Sequence, residues 1–196
     1  MRLPRQAHVD QPWRIHDATR DFTLEDVWAI ETNGAGDEFG SLVAAFVEDD
    51  FPASAPRIVQ VLWAARWRIG QLLGWDRPES GLGDRVASLR GRLPADLVRA
   101  PRSDLPGVPF VTLYETGDEW AAEMANRTVH TVMHLGWVAD GRGGHRGQMA
   151  VLVRPNGRLG RAYMALIRPL RHRVVYPALL NGIERRWRES RTEPAS

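Results

Sequence analysis

Two histidines offer the most chemistry in this sequence. His130 and His134 lie four residues apart within the segment TVHTVMHLGWV. On a helix this spacing stacks two imidazoles one turn apart around a shared metal ion, but on a strand it separates them by about 13 Å. The β-branched and aromatic neighbours favour a strand. We therefore expect no shared metal site and a separate role for each histidine, at a pocket or at the surface.

Acidic groups and a phenol lie just before these histidines. Glu115, Glu119 and Glu123 are close in the sequence, and Tyr114 precedes them. A carboxylic acid enclosed by apolar groups has a raised pKa and can act as a general acid or base. Glutamates that are solvated on a strand or in a turn are the commoner outcome, so both interpretations stay open. The candidates for acid–base catalysis are Glu115, Tyr114, His130 and His134.

The absence of two residue types excludes several reaction classes. The chain has no cysteine, and arginine supplies all 26 of its lysine-plus-arginine residues. Without lysine it can form no lysine Schiff base and no lysine-containing phosphate loop, and without cysteine it has no thiolate nucleophile. The sequence also lacks a dinucleotide fingerprint and a zinc-binding pattern. We therefore expect no cofactor and no metal, and the sequence leaves open whether the protein is an enzyme.

The composition is that of one globular domain. With 196 residues, of which 43% are hydrophobic, the chain is long enough to bury a sizeable core. It has no run of about 18 apolar residues that would span a membrane and no apolar signal segment, so we expect a cytoplasmic protein. We predict a mobile N-terminal arm at 1–12, a domain at 13–188 and a C-terminal tail at 189–196.

Apolar periodicity predicts the helices. The segments 38–48 and 56–75 repeat apolar residues at helical spacing, and a long closing helix covers 159–187. Thr23, with acidic residues after it, predicts a further helix start. The segment 76–107 is rich in proline and glycine, which predicts a long loop or a lid.

The closing helix carries two prolines and a concentration of arginine. Pro169 and Pro177 must kink it or divide it into pieces. Beside Pro169, the side chains of Arg168, Arg171 and His172 either cap the mouth of a cavity or face water. Arginines in such a helix more often form its solvated face than a surface for an anionic partner, so we do not expect nucleic acid to bind.

Three segments have the composition of strands: 110–115, 128–138 and 146–154. The segment 119–125 fits a further strand or, equally well by propensity, a helical turn. The segments 128–138 and 146–154 are joined by GRGGHRG, which predicts an antiparallel hairpin. Alternation directs Met133 and Trp137 to the core, with Met149 beside them on the next strand. The same alternation directs both histidines outwards, unless a second layer covers that face. On the first segment, alternation places Phe110 and Tyr114 on one face.

Four further segments carry a resemblance to known proteins: FTLEDVWAIET, RWRIGQLLGWD, EWAAEMANRTVHTVMHLGW and NGRLGRAYMALIRPLRHRVVYPALL. They resemble an uncharacterised bacterial family of unknown function that is common in actinobacteria, over about Phe22 to Trp187. The order of elements also resembles the helix-grip fold of the START-like, SRPBCC and birch-pollen-allergen-like superfamily. The resemblance implies an α+β, helix-grip-like fold, in which an antiparallel sheet curves around a long C-terminal helix and encloses a cavity.

We predict that a small, largely apolar molecule binds in this cavity. The chain has eight tryptophans, which suit a flat ligand or an interface, although core packing is their commoner role. The residues expected to line the cavity are Trp63, Trp67, Tyr114, Met133, Trp137, Met149, Tyr163, Ile167 and Leu170. Two alternatives remain: an enzyme (cyclase, dehydratase or hydrolase) that uses the acid–base candidates in the same cavity, and an interaction module with an arginine-rich C-terminal face. Exposed tryptophans would favour a homodimer.

Overall fold

Five strands form an open antiparallel sheet: β1 (Thr23–Gly34), β2 (Val111–Glu115), β3 (Glu119–Ala125), β4 (Val129–Ala139) and β5 (His145–Pro155). Across the sheet they follow the order β1-β5-β4-β3-β2, so β4 is the middle strand. The helices are α1 (Gln6–Val9), α2 (Ile15–Ala18), α3 (Phe39–Val47), α4 (Arg57–Leu72), α5 (Ala95–Arg99), α6 (Gly157–Leu170) and α7 (Tyr176–Thr192). This computed structural model describes residues 1–48, 52–53, 55–72, 82–83, 86–100, 105 and 109–192.

Both faces of the sheet are covered. The first, which we call the helix face, packs against α3, α6 and α7, and its core includes Trp28, Met149 and Trp120. The second, which we call the N-terminal face, packs against residues 13–18 and 86–100. The sheet is therefore the middle layer of three.

The architecture expected from the sequence is confirmed in its main features. The fold is α+β and helix-grip-like, with an antiparallel meander followed by a long C-terminal helix. The helices predicted at 38–48 and 56–75 are α3 and α4. The three segments predicted as strands are β2, β4 and β5, and the last two form the predicted hairpin. The segment 119–125, for which a strand and a helical turn were both open, is strand β3.

The helix start predicted at Thr23 is wrong, because Thr23 begins strand β1. Val27 packs into the core of the N-terminal face, whereas Trp28 packs into that of the helix face. A strand that is buried on both sides carries apolar residues on both, and this imitates the spacing of an amphipathic helix. An irregular register between Leu24 and Asp26 also interrupts the alternation.

Tyr114 lies on the N-terminal face, and not beside the closing helix as predicted. The register of β2 against β3 shifts between Thr112 and Tyr114, which leaves Leu113 as an extra residue. Phe110 therefore packs against the core of the helix face, while Tyr114 is buried in the core of the other face. The two residues do not share a face because the bulge reverses the alternation between them.

The first residues are part of the fold, and not the arm predicted at 1–12. The backbone N–H of Leu3 donates to the carbonyl of Val27 at 2.8 Å, and the N–H of Ala29 donates to the carbonyl of Met1 at 2.8 Å. These bonds extend the sheet beyond β1 and cover part of its outer edge.

Part of the segment 76–107, predicted as a loop or lid, is a folded layer. Residues 86–100 contain a 3₁₀ turn (Leu89–Arg92) and α5, and the side chains of Leu89 and Leu97 are buried in the core of the N-terminal face. Most other residues of this segment lie outside the described part of the chain, so the lid stays a prediction.

One helical path closes the structure. α6 contains Pro169, a π-helical turn (Arg171–Val175) follows it, and α7 begins at Tyr176 with Pro177 as its second residue. The helix is thus divided near its prolines, as predicted, although its path continues. Within the described part of the chain, no helix is both long enough and apolar enough to cross a lipid bilayer.

Candidate functional site

The helix layer leaves the middle of the sheet partly accessible. Thr131 and Met133 lie on the middle strand, β4, and point to the helix face, yet both are only half-buried. Their paired residues on the neighbouring strand β5 are Val153 and Val151, which are only 1% and 3% exposed. A side chain at the centre of a five-stranded sheet can meet solvent only where the layer above it is incomplete.

Apolar side chains surround this opening. Met124 pairs with Thr131 from β3 and is half-buried as well. α6 supplies Tyr163 and Ile167, and Phe110 precedes β2; these three are also half-buried and pack against the core of the helix face. We call this region the sheet–helix cleft, and its residues are Phe110, Met124, Thr131, Met133, Tyr163 and Ile167.

A buried carboxylate lies at the β1 end of the same face. Asp26 is 1% exposed and pairs with Val151, which itself pairs with Met133. At about 4.8 Å per strand, Asp26 lies about 10 Å from Met133. The π turn places two basic groups against it: Arg171 Nη2 is 3.6 Å from Oδ2, and His172 Nε2 is 2.5 Å from Oδ1.

Other charged groups approach from both sides. Glu25 Oε2 lies 3.5 Å from Arg171 Nη2, and Arg2 Nη2 lies 3.6 Å from Asp26 Oδ1. Arg171 Nη1 also donates a hydrogen bond of 3.4 Å to the hydroxyl of Tyr176. Burial raises the pKa of Tyr176 above its usual range, so this phenol stays protonated.

A chain of three histidines crosses the N-terminal face. His134 Nε2 donates to Glu119 Oε2 at 3.2 Å, since the carboxylate can only accept. His134 Nδ1 shares a hydrogen bond of 3.3 Å with His8 Nε2, and His8 Nδ1 shares one of 3.1 Å with His16 Nε2. His8 and His134 are buried, whereas His16 is half-buried. These three imidazoles therefore connect a buried carboxylate to the surface.

Glu119, at the buried end of the three histidines, accepts hydrogen bonds from several donors. Its oxygens accept from the hydroxyl of Tyr114 at 2.9 Å and from the backbone N–H of Arg14 at 2.9 and 3.1 Å. Burial alone would raise the pKa of Glu119, but hydrogen bonds from His134, Arg14 and Tyr114 outweigh it and lower the pKa. Burial and then the adjoining carboxylate raise the pKa of Tyr114 well above its usual range.

Acid should destabilise the fold through His8. Burial, followed by repulsion from His134 and His16, lowers the pKa of His8 from 6.5 to about 2. As the pH falls, the unfolded chain binds a proton at His8 before the folded protein does, because the folded-state pKa is the lower one. The stability that neutral His8 contributes is therefore fully present above pH 6.5 and is lost progressively as the pH falls below 6.5. Between pH 7 and pH 5 we expect a loss of about 2 kcal/mol from His8 in the free energy of unfolding.

Urea titrations at both pH values measure this loss. His8→Asn removes the titrating group, so its loss between pH 7 and pH 5 should be smaller than that of the parent by about 2 kcal/mol. His145→Asn changes a half-buried histidine that is not part of the three-histidine chain, so its loss of stability between pH 7 and pH 5 should equal that of the parent. Equal losses in His8→Asn and the parent would contradict the assignment.

His130 belongs to a separate buried pair. Its Nε2 donates to Glu123 Oε2 at 2.8 Å, and the same carboxylate accepts from the hydroxyl of Ser88 and from the backbone N–H of Leu89. These contacts attach the layer of residues 86–100 to β3 and β4. The arrangement is that of a structural clamp, because Glu123 and His130 are both buried.

The expected catalytic candidates do not share the sheet–helix cleft. Tyr114, His130 and His134 lie on the N-terminal face, whereas Glu115 is half-buried at the end of β2, where it pairs with Trp120. An enzyme that uses the tyrosine and both histidines in a cavity beside the closing helix is therefore excluded, because the sheet separates them from it. The histidines face away from that helix as predicted, but a second layer buries them.

The predicted ligand residues are partly brought together. Met133, Tyr163 and Ile167 belong to the sheet–helix cleft, and Leu170 is half-buried at the end of α6. The cleft is therefore built in part from residues that alternation and helical spacing had singled out.

The other predicted ligand residues lie elsewhere. Trp137 and Met149 are buried in the core of the helix face. Tyr114 is on the opposite face, as described above. Trp63 and Trp67 belong to α4, and their side chains lie outside the described part of the structure.

Three polar groups were missed by reasoning from the sequence: Asp26, His8 and His16. Asp26 follows the bulge of β1 and shares its face with Trp28; once TLEDVWAI is understood as a strand, a carboxylate within an apolar run is the signal. His8 and His16 carry no comparable signal, because only the folded chain brings them to His134.

Comparison with known proteins supplies a family but no activity. No curated protein and no solved structure matches the chain. A family model described as a protein of unknown function (DUF2867) matches residues 18–178. This range includes all five strands, α6 and the π turn, and with them the cleft and Asp26, whereas His8 and His16 precede it. Because the match covers most of its length, the chain belongs to the DUF2867 family.

Proposed function

We propose that this protein binds a small, largely apolar molecule in the sheet–helix cleft. The observation that carries the proposal is the solvent access of Thr131 and Met133 at the centre of the sheet. Burying apolar surface stabilises a protein by about 25 cal/mol per Å². A fold that leaves apolar surface open on its middle strand forgoes this energy, and a bound apolar molecule recovers it.

The residues around the opening suit such a ligand. Met124 and Met133 are flexible and polarisable, so they can adapt to different apolar shapes. Tyr163 offers an aromatic surface with a hydroxyl at its tip. A concave, mostly apolar site with few polar groups is typical of small-molecule sites.

Three finer points belong to the same proposal. Kinship with the START-like and SRPBCC proteins is supported by the single long helix that closes an antiparallel sheet. A cytoplasmic location is supported by the composition, which has no cysteine. A homodimer would form through exposed apolar side chains such as Ile58 and Val61 of α4.

Filling the cleft should weaken ligand binding. Met133→Trp places a bulky indole ring in the opening. We therefore expect the affinity for the neutral fluorescent probe N-phenyl-naphthylamine to fall at least about tenfold, or 1.4 kcal/mol. Leu166→Trp is the matched control, because Leu166 is 77% exposed and lies outside the cleft. Probe titrations compare the parent with the two variants.

Native mass spectrometry of the purified protein is the companion measurement. A reproducible mass above that of the denatured chain, lost in Met133→Trp and kept in Leu166→Trp, would identify the class of ligand. If the parent binds no probe and carries no added mass, or if both variants bind like the parent, the proposal fails.

A further inference from the structure

We propose that Asp26, Trp28, Arg171 and His172 form a head-group subsite of the cleft. The ligand would be an apolar molecule with an uncharged head that both donates and accepts hydrogen bonds, such as a hydroxyl or a carboxamide. This inference rests on the proposed function and adds the chemistry of the ligand's polar end.

Buried atoms without hydrogen bonds point to this subsite. Six buried atoms of this cluster make no hydrogen bond of good geometry with any described residue. They are both carboxylate oxygens of Asp26, Trp28 Nε1, Arg171 Nε and Nη2, and His172 Nε2. A buried polar group without a hydrogen bond destabilises the folded state, so native structures rarely concentrate such groups. The ion pairs of Asp26 with Arg171 and Arg2, both at 3.6 Å, are too long to count as hydrogen bonds. His172 Nε2 is only 2.5 Å from Asp26 Oδ1, but the angles at this contact are not those of a hydrogen bond.

The cluster lies beside the cleft on the same face of the sheet. Asp26 and Met133 flank Val151 in one row across the sheet, on the helix face. On the opposite wall, Ile167 and Arg171 are four residues apart, which places them on one side of the helix. Both walls therefore change from apolar to polar in the same direction, and a molecule in the cleft would present its end to Asp26.

The balance of charge selects an uncharged head. Two acidic residues, Glu25 and Asp26, face two arginines, Arg2 and Arg171, within 3.6 Å, and the fifth group, His172, carries a charge only when it is protonated. A carboxylate head would meet the repulsion of both acids, and an ammonium head that of both arginines. A hydroxyl or carboxamide can donate to Asp26 and accept from Trp28 or Arg171 without adding a charge.

Four probes with the same eight-carbon chain test the inference: octanol, octanamide, octanoate and octylamine. We expect the two uncharged probes to bind the parent about tenfold more tightly than the charged pair, which corresponds to one or two net hydrogen bonds. The indole N–H resonance of Trp28, assigned by its absence in Trp28→Phe, should shift with octanol and octanamide.

Variants locate the preference at the cluster. In Asp26→Asn and Trp28→Phe, the advantage of octanol over octanoate should shrink severalfold, while N-phenyl-naphthylamine should bind as in the parent because it uses the apolar part of the cleft. Trp28→Phe keeps an aromatic ring in place, so it gives an answer even if Asp26→Asn does not fold.

The outcomes separate this inference from the function on which it rests. Tighter binding of octanoate or octylamine, or equal binding of all four probes with an unmoved Trp28 resonance, would overturn the head-group subsite and keep the apolar cleft; equal binding would mean that water satisfies the cluster. Failure of N-phenyl-naphthylamine and all four probes to bind the parent would overturn the proposed function and the subsite together.

Discussion

Gly160→Ala should lower the free energy of unfolding by about 3 kcal/mol, at the upper end of what overpacking costs. A Cβ at this position would lie 2.0 Å from the carbonyl oxygen of Thr128, a backbone atom. That oxygen cannot move easily, because it accepts from the N–H of Asn156 at 2.7 Å. α6 would have to shift away from the sheet, and Tyr163 and Ile167 would move with it.

Urea denaturation measures the loss. Gly40→Ala is the matched control, since Gly40 is exposed in α3 and its Cβ would meet nothing within 4 Å. The control should be stabilised by about 0.5–1 kcal/mol, because alanine is the better helix former. If Gly160→Ala unfolds within about 1 kcal/mol of the parent, α6 is not held to β4 as tightly as this contact requires.

Glu119→Leu should have the largest effect, a loss of about 3–5 kcal/mol in the free energy of unfolding. The substitution removes the acceptor of three donors: the buried hydroxyl of Tyr114, one buried ring N–H of His134 and the partly buried N–H of Arg14. Glu119→Gln keeps one oxygen but turns an amide toward the same donors, so an intermediate loss is expected. Thermal and urea unfolding at pH 7 give both values.

An exposed glutamate provides the comparison. Glu189 on α7 makes a long ion pair with Arg185 at 3.7 Å, and both side chains are largely exposed. Glu189→Leu should therefore stay within about 0.5 kcal/mol of the parent. Should Glu119→Leu behave like Glu189→Leu, the histidine chain and its carboxylate would contribute little to the stability of the N-terminal face.

The sheet was predictable where one strand follows another with clear alternation. Met133 and Trp137 were assigned to the helix side from the period of two, and this holds because β4 has no bulge in its register with β3 or β5. The same reasoning failed for β1, where a helix start was predicted, and for β2, where Tyr114 was assigned to the wrong face. Each contains a register irregularity, near Leu24 and at Leu113, which one-residue alternation cannot represent.

The site was predictable only in its apolar half. Helical spacing indicated Tyr163 and Ile167, and alternation indicated Met133. Asp26 was hidden because its strand resembled a helix. The three-histidine chain was hidden for another reason: its members are separated by 8 and 118 residues along the chain, from His8 to His16 and from His16 to His134, so only the tertiary fold makes them neighbours.

The π turn sets the phase of the closing helix. Apolar residues recur every three or four positions up to Val174 and start again at Val175, one residue later, so the sequence itself contains a slip within Arg171–Val175. A π turn accommodates one residue more than an α turn. Without it, α7 would be rotated by about 100° about its axis, and Ile183 would leave the core. The π turn that carries Arg171 and His172 thus also keeps the apolar side chains of both halves of the helix on the side that faces the sheet. Deleting one residue there would turn the apolar side of α7 away from the core.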